Sequence, residues 1–310
     1  MNADATMNAE TRSGFVALIG APNAGKSTLL NRLVGAKVSI VTHKVQTTRA
    51  QIRGIAMHPP GGEKPSQIIF VDTPGIFKPR RRLDRAMVDA AWGGARDADL
   101  VCLLIDAERG IKGDAQSILA KLPDVSIPKV LILNKIDRVP RENLLALTAQ
   151  ANEAVGFEAT FLVSALDGDG CDDLMDWLAA RVPRGPYLYP PDQVSDQPLK
   201  LLAAEVVREK LFLRLHQELP YAAHVEVEGW EERPDGSVKI DQVIYVSRDA
   251  HKKIVIGKGG ATLRAIGQAA REELAAMMER KVHLFLFVKV RENWIDDPER
   301  YREMGLEFPR

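Results

Sequence analysis

The chain has 310 residues, 45% of them apolar and 27% charged, with acidic and basic residues balanced to a formal net charge of zero. That is core enough for about two globular domains, and the neutral balance excludes binding to nucleic acid or membrane through bulk charge, leaving only local patches for such contacts. Two cysteines, Cys102 and Cys171, exclude a disulfide framework and a cysteine metal cluster and fit a reducing cytosol, and no apolar run approaches the length of a membrane span.

Residues 1–13 are small and polar, without a basic start and apolar centre; they are expected to form a flexible extension, not a secretory signal. Phe15 to Ile19 is an apolar run and Thr28 to Val34 is amphipathic. Between them Gly20, Ala21, Pro22, Asn23, Ala24, Gly25, Lys26 and Ser27 fit G-x-x-x-x-G-K-[ST] without a departure. In this strand–loop–helix context the glycines let backbone N–H groups curl around phosphates, and the following helix, opened by Thr28, points its positive end at them. Lys26 is expected to reach the β- and γ-phosphates and the Ser27 hydroxyl to ligate Mg²⁺.

Gln46-Thr-Thr-Arg49 lies where a switch loop would place a Thr hydroxyl in the Mg²⁺ shell when a γ-phosphate is present; Thr48 is favoured over Thr47, since short Thr pairs are also common in turns. Residues 57–66 carry turn chemistry and predict a hairpin between the second and third strands. After the run Ile68 to Val71, Asp72, Thr73, Pro74 and Gly75 complete the phosphate site: Asp72 would hold Mg²⁺, through a water, and the Gly75 amide would sense the γ-phosphate. Ile76 follows, and its aliphatic side chain cannot position an attacking water. Lys78, Arg80, Arg81 and Arg82 form a basic run, most simply a solvated face. Cys102 sits inside the apolar run 100–105 and reads as a small buried hydrophobe.

Asn134, Lys135, Ile136 and Asp137 follow the run Val130 to Leu133. The Asp137 carboxylate can accept from guanine N1–H and N2–H₂, whereas adenine would leave it unpaired, at a cost of about 1–3 kcal/mol. Asn134 can bond the base or brace the phosphate loop, and the Lys135 stem can cover the ring. Ser164, Ala165 and Leu166 end another strand-like run, and residues 171–180 have the spacing of a closing amphipathic helix. Short apolar runs alternating with helices over 14–181 predict an α/β domain with a doubly wound, mostly parallel sheet, its motifs at the carboxyl ends of the strands. Order and spacing resemble the Ras-like GTPases.

Residues 182–197 are proline-rich and are expected to be a stiff linker. A second, α+β domain is expected over 198–310: a helix from Leu199 to Leu219 ending at Pro220, two alternating strands from His224 and Val238, a short helix, a glycine loop, a helix from Thr262 to Arg280 and a last strand, Val282 to Val290. The order α-β-β-α-α-β is that of a type II KH domain. Ile256, Gly257, Lys258, Gly259 and Gly260 fill a G-x-x-G loop, with Arg248, Lys252 and Lys253 upstream, so positive charge gathers at the one loop whose missing Cβ atoms would let a single-stranded RNA backbone approach.

G-x-P-N-x-G-K-S, Q-T-T-R, D-T-P-G, N-K-x-D and V-I-G-x-x-G in this order, with residues 204–210, Glu218-Leu-Pro-Tyr221 and 282–290, resemble the Era GTPases of bacteria from Gly14 onward. The resemblance implies a monomeric, cytoplasmic GTPase that binds GTP or GDP with Mg²⁺, binds 16S rRNA near its 3′ end and acts in 30S subunit assembly, with a loose peripheral contact to the inner membrane. It implies as catalytic residues Asn23, Lys26, Thr48 and Gly75, with Ser27, Thr48 and Asp72 on the metal. In related GTPases an Asn at the position of Asn23 helps hold K⁺, which predicts slow, K⁺-stimulated hydrolysis. The alternatives are a tRNA-modifying GTPase, which lacks a catalytic cysteine or cofactor site in the second domain here, and a membrane-linked signalling switch, against which the basic glycine loop argues.

Overall fold

The computed structural model describes residues 11–44, 47–62, 64–215, 219, 223–292 and 297–309. Gln46 of the switch motif, and Glu218, Pro220 and Tyr221 of the Glu218–Tyr221 stretch, lie outside them. The chain divides into two units: residues 1–39, 48–196 and 305–310 form the first, and residues 40–47 and 197–304 the second.

The first unit is a six-stranded sheet of β1 (Arg12–Gly20), β2 (Ile52–His58), β3 (Ser66–Asp72), β4 (Leu100–Asp106), β5 (Lys129–Asn134) and β6 (Ala159–Val163), in the order β2-β3-β1-β4-β5-β6. β2 runs antiparallel to β3 and the other pairs are parallel. Alternate residues of the central strands enter opposite layers. Leu18, Phe70, Cys102 and Leu104 pack with Leu29, Leu30, Leu174 and Leu178 of α1 (Lys26–Val34) and α5 (Cys171–Ala179). Ala17, Ile19, Leu103 and Ile105 pack with Ala91, Ile118 and Ala151 of α2 (Arg82–Arg96), α3 (Asp114–Lys121) and α4 (Arg141–Ala154). Burial on both faces explains why these strands read as continuous apolar runs, and each fully buried Leu or Ile contributes about 1.5–3 kcal/mol. Cys102 and Cys171 are both free and buried, and burial pushes the two thiols up to about 12 and about 11.

Two boundaries differ from expectation. Arg12 and Ser13 belong to β1 rather than to a flexible extension: Ser13 N–H donates to the Pro183 carbonyl at 3.0 Å and Ser13 Oγ to that of Pro186 at 2.6 Å. The proline-rich segment is likewise stitched to the sheet as far as Asp196. The buried Gln67 amide receives the N–H groups of Leu188 and Tyr189 and donates to the Tyr189 carbonyl, while Ile55 N–H donates to Val194 at 2.9 Å. These bonds cover the otherwise open edge at β2.

The second unit has β7 (Ala223–Glu232), β8 (Val238–Val246) and β9 (Val282–Val290), with β8 central, antiparallel to β7 and parallel to β9. Its helices are α6 (Leu199–Arg214), α7 (Asp249–Ile256), α8 (Ala261–Met278) and α9 (Pro298–Glu303). Val207 and Leu211 of α6, Ile266 and Leu274 of α8 and Ile240 and Ile244 of β8 form its core. The order from α6 to β9 is α-β-β-α-α-β. α6 stops at Arg214, short of the expected Leu219, because Leu215 turns extended (φ −94°, ψ 150°) to bury its side chain.

Candidate nucleotide and RNA sites

The phosphate loop joins β1 to α1 at the carboxyl edge of the sheet. Gly25 adopts φ 96°, and a Cβ there would lie 2.2 Å from Asn134 Nδ2. The closeness has a purpose: Asn134 Nδ2 donates to the Ala24 carbonyl at 2.8 Å, while its Oδ1 accepts from Lys135 N at 2.8 Å and Ala165 N at 3.0 Å. One buried amide therefore ties the phosphate loop to both base-recognition loops. No side chain caps the amino end of α1, so its first amides stay open to an anion. Lys26 Nζ donates to the carbonyls of Gly20 and Ala21 at 3.1 and 3.2 Å; burial lowers its pKa to about 8, with Asp72 opposing. A buried ammonium whose hydrogen bonds go to two neutral carbonyls is suited to pair with a phosphate.

Around Asp72 the hydroxyls converge. Ser27 Oγ donates to Asp72 Oδ2 at 2.6 Å and lies 2.9 Å from Thr48 Oγ1; Ser39 Oγ donates to the same oxygen at 3.0 Å. Asp72 Oδ1 is buried without a partner, and burial raises the carboxyl pKa against the pull of Lys26 and the hydroxyls. A buried carboxylate with an unmet oxygen beside three hydroxyls is a donor set for a hard divalent cation that shares its shell with phosphate and water. Among the described residues no cluster of three His, Cys, Asp or Glu offers a protein-only cage. Thr47 points elsewhere, its hydroxyl on Thr42 Oγ1 at 2.6 Å and the Lys44 carbonyl at 2.7 Å. Ser39 is absent from the sequence reading; it is fixed by Asn31 Oδ1, which accepts from Val38 N and Ser39 N.

Residues 73–76 follow β3 against the phosphate loop. Thr73 Oγ1 donates to the Leu18 carbonyl at 2.8 Å and Ile76 N–H to the Gly20 carbonyl at 3.1 Å. The Ile76 side chain is buried in the core layer of Ile19 and Ile105. Asn23 takes left-handed φ 64° at the lip of the loop.

At the base end, Ser164 Oγ donates to Asp137 Oδ1 at 2.9 Å, holding the carboxylate that would read guanine. Lys135 is left-handed, φ 67°, and its Nζ pairs with Asp106 Oδ2 at 2.5 Å, which fixes the stem that would cover the base. Asp106 also went unread; it closes β4 in register with Asn134, a signal that appears only once β4 and β5 are known to pair.

In the second unit α7 and α8 meet at the glycine loop. Gly257, Gly259 and Gly260 all have positive φ, and a Cβ on Gly257 would lie 2.2 Å from Thr262 Oγ1. Arg248, immediately before α7, is exposed, Lys253 and Lys258 are exposed, Lys252 is half-buried, and Ile256 packs partly into the core. Arg264 joins them, its Nη2 reaching the Gly259 carbonyl at 3.4 Å; its one-turn offset inside α8 is the signal that could have found it.

Two family descriptions match the chain, "50S ribosome-binding GTPase" over residues 15–135 and "KH domain" over residues 218–295. GTPase Era of Sinorhizobium medicae is 70% identical over 300 residues, 97% of this chain and 95% of that protein. The crystal structure of a single-substitution variant of Aquifex aeolicus Era bound to GDP·AlF4⁻ superposes with a TM-score of 0.89 at 36% identity, covering 95% of this chain and 99% of that one. A crystal structure of Era in complex with MgGDPNP and nucleotides 1506–1542 of 16S ribosomal RNA superposes equally well, with the same identity and coverage. The two-unit architecture, the loop geometry and the identity over nearly the whole length agree: the chain belongs to the GTPase Era family, Ras-like GTPases that hydrolyse GTP and carry a carboxyl-terminal KH domain.

Proposed function

We propose that the protein is a GTP-driven switch that binds the 3′ region of 16S rRNA through the Gly257–Gly260 loop and acts in 30S subunit assembly in the cytoplasm. The observation that carries this reading is the likeness, over 95% of the chain, to a solved Era holding MgGDPNP and that RNA at once. The basic, Cβ-free loop between α7 and α8 supports a single-stranded ligand whose phosphates lie against the main chain. Among the described residues no helix is long and apolar enough to cross a membrane.

Ser27, Thr48 and Asp72 would hold Mg²⁺, which when bound offsets charge on the β- and γ-phosphates. Lys26 would exchange its two loop carbonyls for phosphate oxygens, and the first amides of α1 would complete the cradle. Asp137 and Ala165 would read guanine. With Ile76 buried, hydrolysis needs another source of charge stabilisation, and Asn23 at the lip of the loop supports a K⁺ ion there. Turnover in K⁺ should exceed that in Na⁺ by about tenfold, and Asn23→Ala should erase the difference. Equal rates in the two salts would remove the cation from the mechanism.

GTP would also alter RNA affinity by ordering the segments around Thr48 and Gly75. Crosslinking the GTP-loaded protein in cells and sequencing the attached RNA tests the whole reading. Enrichment at the 16S 3′ end is expected, and tRNA or no RNA would overturn it. Gly257→Asp, at φ 74° and with no room for a Cβ, should weaken RNA binding by about tenfold or more while leaving RNA-free GTP turnover unchanged.

A further inference from the structure

The chain as a whole is neutral, yet positive charge gathers on one stretch of the first unit that lies outside every nucleotide motif. Residues 78–85 hold five cations, Lys78, Arg80, Arg81, Arg82 and Arg85, against one carboxylate, Asp84. Lys78, Arg80, Arg81 and Arg85 are exposed. Among the described residues the side chains of Lys78, Arg80 and Arg85 make no ion pair or hydrogen bond. Arg82 is half-buried, its guanidinium 4.9 Å from the centre of the Phe308 ring in the same unit.

Folding alone gives no reason for so much charge. α2 starts at Arg82, so these cations crowd the positive end of its dipole, where an acidic residue is favoured and a basic one is not. Asp84 is the acidic residue the helix needs. It is 4% exposed, and its Oδ2 accepts from Arg80 N and Arg81 N at 2.9 and 3.0 Å. Leu83, Ala86 and Met87 supply the buried face. The exposed cations repel one another, and uncharged polar side chains would meet solvent as well. What they add is a positive potential, and an anion resting on it would relieve both the crowding and the dipole.

The observations favour an anion that carries several phosphates. A single phosphate cannot neutralise five cations, and four of the five are arginines, whose planar forks match phosphate oxygens. The stretch offers nothing on which a base could stack: Phe77, the one aromatic residue of 77–85, is half-buried. A membrane surface is the competing occupant. A helix that lies on a bilayer turns apolar side chains outward beside its cations, whereas Leu83, Ala86 and Met87 of α2 are buried in the unit.

We propose that Lys78, Arg80, Arg81 and Arg85 form a second RNA contact, on the GTPase unit, which holds the phosphate backbone of double-stranded RNA without reading its sequence. The choice of RNA rests on the reading of the protein as RNA-binding through its Gly257–Gly260 loop. It gives the first unit its own salt-sensitive share of the affinity.

The test uses the full-length wild type, the triple variant K78Q/R80Q/R85Q, Arg80→Gln alone and Gly257→Asp. Fluorescence anisotropy across a KCl titration measures binding of a blunt RNA hairpin and of a single strand with the 16S 3′ sequence. Cosedimentation with phosphatidylglycerol vesicles, GDP affinity and thermal unfolding accompany it. The triple variant should weaken hairpin binding by about tenfold or more and flatten its dependence on log salt by about two to three, as expected for that many lost phosphate contacts. Its GDP affinity and thermal unfolding should match wild type. Arg80→Gln should shift the hairpin affinity and slope the same way by a smaller factor, and it decides the matter if the triple variant does not fold. Gly257→Asp should weaken the single strand and leave the hairpin as in wild type. Wild-type hairpin affinity and salt slope in the charge variants would overturn the proposal, as would loss of hairpin binding in Gly257→Asp alone. Unchanged hairpin binding with lost vesicle binding would assign the patch to a membrane surface instead. A single strand that binds wild type and Gly257→Asp alike would overturn the loop reading, and the hairpin result would still decide the patch.

Discussion

Asp137→Asn should convert a GTP-selective pocket into one that prefers XTP. A carboxylate offers two acceptors to the N1–H and N2–H₂ edge of guanine; an amide offers one acceptor and one donor, which matches the N1–H and C2 carbonyl of xanthine. For guanine the substitution removes one charge-assisted hydrogen bond, weakens the other and sets two donors face to face. At about 1.5–3 kcal/mol for each bond to a charged group, GTP affinity should fall by about 10²–10⁴. The side chain should stay in place, because Ser164 Oγ, 2.9 Å from Asp137 Oδ1, can donate to an amide oxygen as well. Competition of GTP and XTP against a fluorescent guanine nucleotide measures the exchange. Retention of GTP preference in the variant would mean that some other group reads the base.

The parts of this molecule that were legible in the sequence are those whose chemistry needs a residue type at a fixed spacing. Gly25, Lys26 and Ser27 read as a phosphate loop because such a loop needs a glycine at positive φ with an amine and a hydroxyl beside it, and the structure has Gly25 at φ 96° and Gly257, Gly259 and Gly260 at positive φ in the second unit. The fold class followed from period and order: runs buried on both faces, such as 100–106, can only be central strands. What stayed hidden depends on contacts distant in sequence. Gln67 reads as one polar residue in an apolar strand, yet it holds Leu188 and Tyr189 and so brings the segment expected to be a stiff linker onto the sheet. Ser13 reads as part of a polar extension until its carbonyl partners near Pro183 and Pro186 are known. Asp106 and Ser39 are hidden for the same reason: each acts on a partner that the chain order does not suggest. α9 is a different case, since Asp297 accepts from Glu299 N at 3.1 Å just before Pro298, a helix-start signal present in the sequence and passed over.

Gly25→Ala should weaken nucleotide binding far more than its single added carbon suggests. The backbone at Gly25 has φ 96°, outside the range an L side chain adopts without strain of order 1–3 kcal/mol. The new Cβ would also stand 2.2 Å from Asn134 Nδ2, an atom that cannot yield freely because it donates to the Ala24 carbonyl. Either the phosphate loop opens or Asn134 withdraws. Withdrawal would release its acceptor bonds to Lys135 N and Ala165 N, so the phosphate and guanine ends would loosen together. The expected result is a fall of about 10²–10³ in affinity for both GTP and GDP, from strain plus one or two lost buried hydrogen bonds. GDP lacks the γ-phosphate, so a matching loss for both nucleotides separates this cause from damage to γ-phosphate sensing at Gly75. Gly93→Ala serves as the control: its site in α2 has open space for a Cβ and should leave affinity unchanged. A Gly25→Ala protein that binds GDP normally but fails to hydrolyse GTP would place the role of Gly25 in catalysis rather than in the joint between the two loops.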